Sequence, residues 1–83
     1  MKITLKLFAT LSDYLPADAV RNQATLTLPE NSSVGSLIAD YRLPERLVHL
    51  VLVNGNFIAP TARQEHILKD GDTLAIWPPV AGG

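Results

Sequence analysis

Hydrophobic and polar residues alternate along three stretches of the chain, with the period of two that is typical of half-buried strands. These stretches cover residues 2–8, 23–28 and 73–77. Pro29 ends the second stretch and Pro78 ends the third, because proline cannot donate a hydrogen bond to a sheet ladder. The alternation therefore predicts three strands with one buried face each, and the first two form a hairpin with a long connection.

One amphipathic helix is predicted after Ser33, which suits the N-cap position. Its apolar residues follow the i, i+3, i+4, i+7 spacing of a single buried face: Val34, Leu37, Ile38 and Tyr41. Pro44 disfavours helical backbone at Leu43, so the helix should end near Tyr41 or Arg42, and residues 44–47 add one more turn. A shorter helix is predicted over residues 9–15, where Pro16 stops it.

The middle of the chain contains the strongest hairpin signal. Residues 47–53 form a nearly continuous aliphatic run, which suits a strand that is covered on both faces or central in its sheet. Asn54-Gly55 follows, and this pair favours a type I′ turn because both central residues of that turn need positive φ. We therefore expect a short returning strand over residues 56–59.

The predicted order is strand, strand, helix, strand, strand, strand, which favours a two-layer α+β roll. A mixed sheet of four to five strands would be covered on one face by one main helix, and its other face would be open to water. The period-two phase places Phe8 and Trp77 on that open face, and Phe57 is expected to join them. Such an apolar patch favours an interaction surface. The alternative is that residues 10–22 or 60–68 cover these aromatic side chains.

The C-terminal residues are unusual because a proline pair is followed closely by a terminal diglycine. They read Trp77-Pro78-Pro79-Val80-Ala81-Gly82-Gly83. The prolines predict a stiff arm leaving the sheet, and the glycines would let the backbone enter a narrow channel. Fully extended, residues 78–83 would reach roughly 20 Å. We therefore divide the chain into a domain, residues 1–77, and a flexible tail, residues 78–83; the alternative for the tail is an inert frayed terminus.

The reactive group of such a tail would be the α-carboxylate of Gly83. A carboxylate is a poor acyl electrophile, so chemistry there requires activation by another protein, for example as a mixed anhydride with a nucleotide. The chain itself has no cysteine, which excludes disulfides, thiolate-bound clusters and a catalytic thiol. Any sulfur that this protein handles must therefore come from elsewhere.

Charge and hydropathy narrow the classes of partner. Seven Lys and Arg against eight Asp and Glu give a formal net charge of −1 without a basic run, so we predict that the protein does not bind nucleic acid. No apolar run approaches the roughly 20 residues of a membrane span, and the N-terminus lacks a secretory signal pattern. We expect a cytoplasmic protein that does not bind membranes.

The sequence shows no set of side chains with the spacing of a catalytic or metal-binding site. His49 and His66 are far apart in sequence and lack the spacing of metal ligands, so no metal site is predicted. The acidic residues show no pairing for general acid–base work, and Asp70 and Asp72 fit turn chemistry better. We expect a carrier without stand-alone catalysis.

The chain resembles a known family, the ubiquitin-like β-grasp sulfur carriers of the MoaD/ThiS type. Within that family it is most similar to the small subunit of molybdopterin synthase. The aromatic-Pro-Pro-Val-x-Gly-Gly ending carries the resemblance most specifically, and the turn over residues 68–72 precedes it as in that family. Phe8-Ala9 with Leu11, and Val53-Asn54, also match in place. The resemblance covers essentially the whole chain.

The resemblance implies a β-grasp fold and a defined reaction sequence. An E1-like enzyme would use ATP to adenylate the terminal glycine, a sulfurtransferase system would supply sulfur, and the thiocarboxylate would enter the large subunit of molybdopterin synthase to sulfurate a pterin precursor. Gly83 would be the acyl carrier and Gly82 would keep the path narrow, with no cofactor bound by the chain itself. The implied partner contacts are Phe8, Phe57, Trp77, Pro78, Pro79, Val80 and Ala81.

Two departures from the family pattern keep other pathways open. Ser12-Asp13 stands where many members carry Arg-Glu, and the segment over residues 41–49 is short, as in thiamine-pathway carriers. Those carriers commonly lack the proline pair, so a molybdenum or tungsten pterin pathway remains the first prediction. The alternatives are a thiamine-pathway carrier, a ubiquitin-like modifier that forms isopeptide bonds, and a passive β-grasp interaction domain.

Overall fold

The computed structural model describes residues 1–79 and contains five strands and one α-helix in that part of the chain. The strands are β1 (Lys2–Leu7), β2 (Gln23–Thr27), β3 (Leu50–Val53), β4 (Asn56–Phe57) and β5 (Thr73–Trp77), and the helix is α1 (Val34–Asp40). Short 3-10 helices cover Ala9–Tyr14, Glu45–Leu47 and Pro60–Ala62. The predicted helix over residues 9–15 is thus a 3-10 helix, and the predicted extra turn near residue 45 is present.

The five strands form one mixed sheet in the order β2-β1-β5-β3-β4. β1 pairs with β5 in parallel, and the other neighbouring strands pair antiparallel, including the predicted first hairpin of β1 and β2. The last strand in sequence therefore lies in the centre of the sheet, between β1 and β3. This architecture confirms the predicted α+β roll.

The core lies between one face of the sheet and α1. Inward positions of β1 and β5 are fully buried, and α1 and the connecting segments add further aliphatic side chains: Ile3, Leu5, Leu7, Leu74, Ile76, Val34, Leu37, Leu11 and Leu68. Each fully buried aliphatic side chain of this size contributes about 1.5–3 kcal/mol through loss of contact with water. The apolar positions of the alternating strands thus form the face of the sheet that packs against the helix.

The start of α1 is fixed by two serines. The Ser36 backbone N–H donates to Ser33 Oγ at 3.0 Å, and the Ser33 backbone N–H donates to Ser36 Oγ at 2.9 Å. This reciprocal arrangement is a capping box, which satisfies two N–H groups that the helix leaves free. The predicted N-cap is confirmed, and Tyr41 is the C-cap, as expected from the proline that follows.

Of the two settings predicted for the aliphatic run over residues 47–53, covered on both faces or central in the sheet, the structure shows the strand inside the sheet. β3 begins only at Leu50 and lies between β5 and β4, with Val51 and Val53 buried. Leu50 and Leu52 point to the opposite face, where Leu50 is 36% exposed and Leu52 is half-buried. The reason is architectural: the helix covers one face of the sheet, so the second set of β3 side chains faces away from the core.

The hairpin turn between β3 and β4 is confirmed, because Asn54 and Gly55 both adopt positive φ, at 51° and 83°. The returning strand is shorter than predicted and ends at Phe57. Asn54 also makes contacts outside its own turn. Its Nδ2 donates to Asp72 Oδ1 at 2.8 Å, and its Oδ1 accepts the Thr73 backbone N–H at 2.9 Å. The side chain therefore joins the hairpin to the start of β5.

Asp72 is a buried carboxylate held by several hydrogen bonds. Burial disfavours its charged form, but Asp72 Oδ2 accepts the Lys69 backbone N–H at 2.8 Å and Oδ1 accepts the Asn54 amide. Together with the positive charge of Lys69, these donors outweigh burial and hold the pKa of Asp72 below its ordinary value. The ionised carboxylate is therefore the form that stabilises the fold.

We predict that Asp72 makes folding stability fall in acid. Because its pKa is depressed in the folded protein, its contribution is fully present above its ordinary pKa, about 3.9, and is lost as the pH falls through the folded-state pKa. Asp72→Asn should lower the free energy of unfolding by about 1–3 kcal/mol at neutral pH, and less in strong acid. Urea unfolding at both pH values measures this. Asp18→Asn, in an exposed loop, is the control; equal losses for Asp72→Asn at both pH values would contradict the prediction.

Candidate functional site

The root of the C-terminal tail lies at the end of β5. The Trp77 carbonyl accepts the His49 backbone N–H at 3.1 Å, and the neighbouring Ile76 carbonyl accepts the Phe8 backbone N–H at 3.2 Å. Pro78 and Pro79 follow outside the strand, half-buried and exposed respectively. The chain thus leaves the sheet at the predicted residue. Most of the predicted tail lies outside the described residues. This part comprises the predicted partner contacts Val80 and Ala81 and the predicted reactive pair Gly82 and Gly83.

Phe8 and Trp77 are stacked beside this root. Parallel pairing of β1 with β5 places Leu7 opposite Ile76, so the next residues along the two strands are neighbours on the open face. The two ring centroids are 4.2 Å apart and the rings are nearly parallel, with an interplanar angle of 3°. Both side chains are half-buried. Such a pair contributes about 0.5–1.5 kcal/mol beyond area burial, so the stack holds these two side chains against each other.

Aliphatic and aromatic side chains extend this stack across the open face. Leu50 pairs with Trp77, and Leu52 pairs with Ala75 on one side and with Phe57 on the other. Phe57 is 59% exposed, so neither of the segments considered as a cover shields it. We call the following set the apolar face: Phe8, Leu50, Leu52, Phe57, Ala75 and Trp77.

The structure brings the three predicted aromatic residues onto this face, while their predicted role in binding stays a prediction. Sequence reasoning misses Leu50 and Leu52 because a continuous aliphatic run favours a strand that is covered on both faces. A usable signal is present: a two-residue turn at Asn54-Gly55 sets residue 52 opposite residue 57. The apolar face is thus broader than its aromatic residues alone.

Arg63 forms hydrogen bonds with the backbone of the segment beside the tail root. Its guanidinium donates to the carbonyl oxygens of His49 at 3.1 Å, Val48 at 3.4 Å and Ile58 at 3.5 Å. Burial lowers the pKa of Arg63, a shift that still leaves an arginine charged at neutral pH. His49 in turn donates its N–H to Trp77, so Arg63 holds the backbone that carries the last ladder bond before the prolines. No sequence pattern singles out this arginine.

Within residues 1–79, no group of three or more His, Cys, Asp and Glu side chains is arranged to hold a metal ion. His49 precedes β3 and His66 lies in the segment before β5, where its carbonyl accepts the Val34 N–H at 2.9 Å. Across the same described part of the chain, the helices are too short or too polar to cross a bilayer. The notable features of the described surface are therefore the apolar face and the tail root.

Comparison with known proteins gives a family and a set of structural neighbours. The family model described as the ThiS family matches residues 5–83. No curated protein matches the chain. The solution structure of the Haloferax volcanii HVO 2177 protein has a TM-score of 0.72 and 29% identity, covering 100% of this chain and 87% of that one. Small archaeal modifier protein 1 of H. volcanii has a TM-score of 0.66 and 25% identity, covering 95% and 98%.

A third neighbour is a complex of subunits 1 and 2 of the molybdopterin-converting factor from Helicobacter pylori. It has a TM-score of 0.64 and 24% identity, and the similarity covers 100% of both chains. At this level of identity the likeness shows a shared fold alone. The neighbours confirm the predicted β-grasp roll.

Proposed function

Because the chain belongs to the ThiS family, we propose that it is a sulfur carrier whose Gly83 carboxylate is converted to a thiocarboxylate. The observation that supports this most directly is the position of the tail root. Pro78 and Pro79 leave the sheet beside the Phe8–Trp77 stack, and the sequence ends four residues later in a diglycine. A partner that binds the apolar face would therefore have the terminus within the reach of an extended tail, roughly 20 Å.

The proposed activation supplies the leaving group that a carboxylate lacks. In the active site of an E1-like partner, a Gly83 carboxylate oxygen attacks the α-phosphorus of ATP, which forms the acyl-adenylate and releases pyrophosphate. A sulfide equivalent from a sulfurtransferase system then attacks the acyl carbon and displaces AMP. The chain contributes no cysteine and no bound cofactor to this sequence of steps. Its own contribution is to present the terminus.

The proposed acceptor is the large subunit of a molybdopterin synthase, with a molybdenum or tungsten pterin as the final product. The H. pylori neighbour is a complex of two subunits of the molybdopterin-converting factor, and the proline pair of the tail favours the same pathway. The short segment over residues 41–49 keeps a thiamine-pathway carrier as an alternative destination. Both destinations require the same thiocarboxylate.

A second candidate function is protein modification, in which Gly83 forms an isopeptide bond with a lysine of a target. The observation in its favour is the similarity to a small archaeal modifier protein at 25% identity. Adenylation of Gly83 is common to both functions. They differ in the nucleophile that displaces AMP, which is sulfide for the carrier and a lysine amine for the modifier.

Intact-mass spectrometry of the protein purified from its native cells tests the proposal. We expect a fraction of the chains to carry the mass increment of an oxygen-to-sulfur exchange at Gly83, and an alkylating reagent selective for thiocarboxylates should shift that fraction only. A chain that lacks Gly82 and Gly83, expressed in the same cells, is the control and should show no such increment. Finding free carboxylate together with lysine conjugates would favour the modifier, and free carboxylate without conjugates would contradict both functions.

A further inference from the structure

The charges on the strands are all of one sign. Lys2 and Lys6 are the charged residues of β1, and β2, β3, β4 and β5 contain none. All eight carboxylate side chains of the sequence belong to helices, turns or loops of the described chain. Both lysines are in phase with Phe8 and so belong to the open face of the sheet. That face is therefore apolar and cationic, although the chain as a whole is slightly acidic.

Lys6 borders the apolar face directly. Its cross-strand neighbours are Ala75 on β5 and Gln23 on β2, and its same-face neighbours along the chain are Thr4 and Phe8. All four are neutral, and Lys6 itself is half-buried. A lysine in this position lays its methylene stem along the sheet and keeps its ammonium at the edge of the apolar surface.

Lys2 is in a different environment although it shares the strand and the face. It is exposed, and its backbone N–H donates to Asp70 Oδ1 at 2.6 Å, so a carboxylate lies next to it. Its cross-strand neighbour Thr27 lies at the far end of β2 from the tail root. Lys6 is thus the cation that a protein covering the apolar face would also cover.

We propose that the E1-like enzyme, docked on the apolar face, has an apolar groove with an Asp or Glu carboxylate at its rim, placed to pair with Lys6. This inference rests on the proposed function, since it concerns the protein that receives the tail. Covering Phe8 and Trp77 removes water from the neighbouring ammonium, and a buried charge without a partner is strongly destabilising. A carboxylate of the partner would replace the lost water. It would also fix the orientation of this domain on the partner, so that the tail points into the partner's channel.

The same charge argues against a second copy of this chain as the occupant. A twofold-symmetric contact would place the same face against itself and would bring the Lys6 ammonium groups of the two copies onto one interface. No carboxylate belongs to the described strands of either copy to pair with them. The apolar face therefore fits a different protein better than it fits itself.

Calorimetric titration of the full chain into the E1-like enzyme from the same organism tests this pairing. Lys6→Met keeps an apolar stem of similar length and removes the charge, and Lys6→Glu reverses the charge. We expect the Kd to rise by about 3- to 10-fold for Lys6→Met and by about 30-fold or more for Lys6→Glu. Lys2→Met is the matched control, with the same substitution on the same strand, and its Kd should stay within about twofold of the wild type. Thermal unfolding of each variant checks that the fold is retained.

The outcomes separate this inference from the proposed function. If the wild-type chain does not bind the enzyme, the proposed function fails. If the wild type binds and Lys6→Met binds equally well or more tightly, the pairing with a carboxylate is wrong while the carrier function stands. Equal losses for Lys2→Met and Lys6→Met would overturn the pairing in favour of a diffuse charge effect. A wild-type dimer in sedimentation that Lys6→Met tightens, by removing the repulsion between the two ammonium groups, would overturn it in favour of self-association.

Discussion

Deletion of Gly82 and Gly83 is expected to abolish adenylation of the chain and to leave the domain folded. The deletion moves the terminal carboxylate to Ala81 and shortens the arm by roughly 7 Å, so the carboxylate no longer reaches the α-phosphate of ATP when the apolar face is docked. Because misplacement by about 1 Å can already cost about 100-fold in rate, we expect a loss of at least that size. ATP–pyrophosphate exchange with the E1-like enzyme measures it.

Two controls separate a failed reaction from a failed fold. The thermal unfolding midpoint of the truncated chain should match that of the intact chain, since the deleted residues follow the prolines that leave the sheet. A Gly83→Ala chain keeps the length of the arm and tests whether the narrow glycine path is needed as well. Exchange that continues at the wild-type rate after the deletion would show that the terminus is not the reactive group.

Replacing Trp77 with Ala is expected to weaken binding to the adenylating enzyme by about 2 kcal/mol, which is about a 30-fold rise in Kd. The indole lies on the apolar face between Phe8 and Leu50, stacked on Phe8 with the ring centroids 4.2 Å apart and paired with Leu50. Large aromatic side chains in that position dominate binding energy because the partner desolvates them completely. Calorimetric titration with the enzyme measures the change.

Two further variants separate the loss of a contact with the partner from the loss of the Phe8–Trp77 stack within the chain. Phe57→Ala removes a 59% exposed side chain of the same face and leaves the Phe8–Trp77 pair in place, so it should weaken binding with little effect on folding. Thr25→Ala, on the open face of β2 and away from the apolar face, should change neither. Wild-type affinity for both Trp77→Ala and Phe57→Ala would rule out docking through this face.

The order of the strands explains why the tail root lies beside the apolar face. β5 is the last strand in sequence but lies between β1 and β3 in space. Its C-terminal end is therefore flanked by Phe8 on one side and by Leu50 on the other. Had β5 been an edge strand, one of these flanks would be missing and the prolines would leave from the rim of the sheet. A central last strand therefore places the tail root, Pro78, beside the apolar face.

Local physical rules determine much of this protein directly from its sequence. Alternation with a period of two places the strands, and Asn54-Gly55 sets a type I′ turn because both residues must adopt positive φ. Ser33 marks the start of α1, and Pro78 marks the end of β5. The phase of the strands also puts Phe8 and Trp77 on the face away from the core. Each of these features depends on residues that are close together in sequence.

The contacts between distant segments are decided by the tertiary structure alone. The order of the strands sets Phe8 against Trp77, the side chain of Asn54 finds Asp72, and Arg63 braces the backbone at His49. The period of a strand states which face a residue takes but not what covers that face, so the exposure of Leu50 and Leu52 could not be deduced from their aliphatic run. Sequence alone therefore determined the elements and the diglycine terminus, and the packing of β5 between β1 and β3 determined the surface beside which the tail root lies.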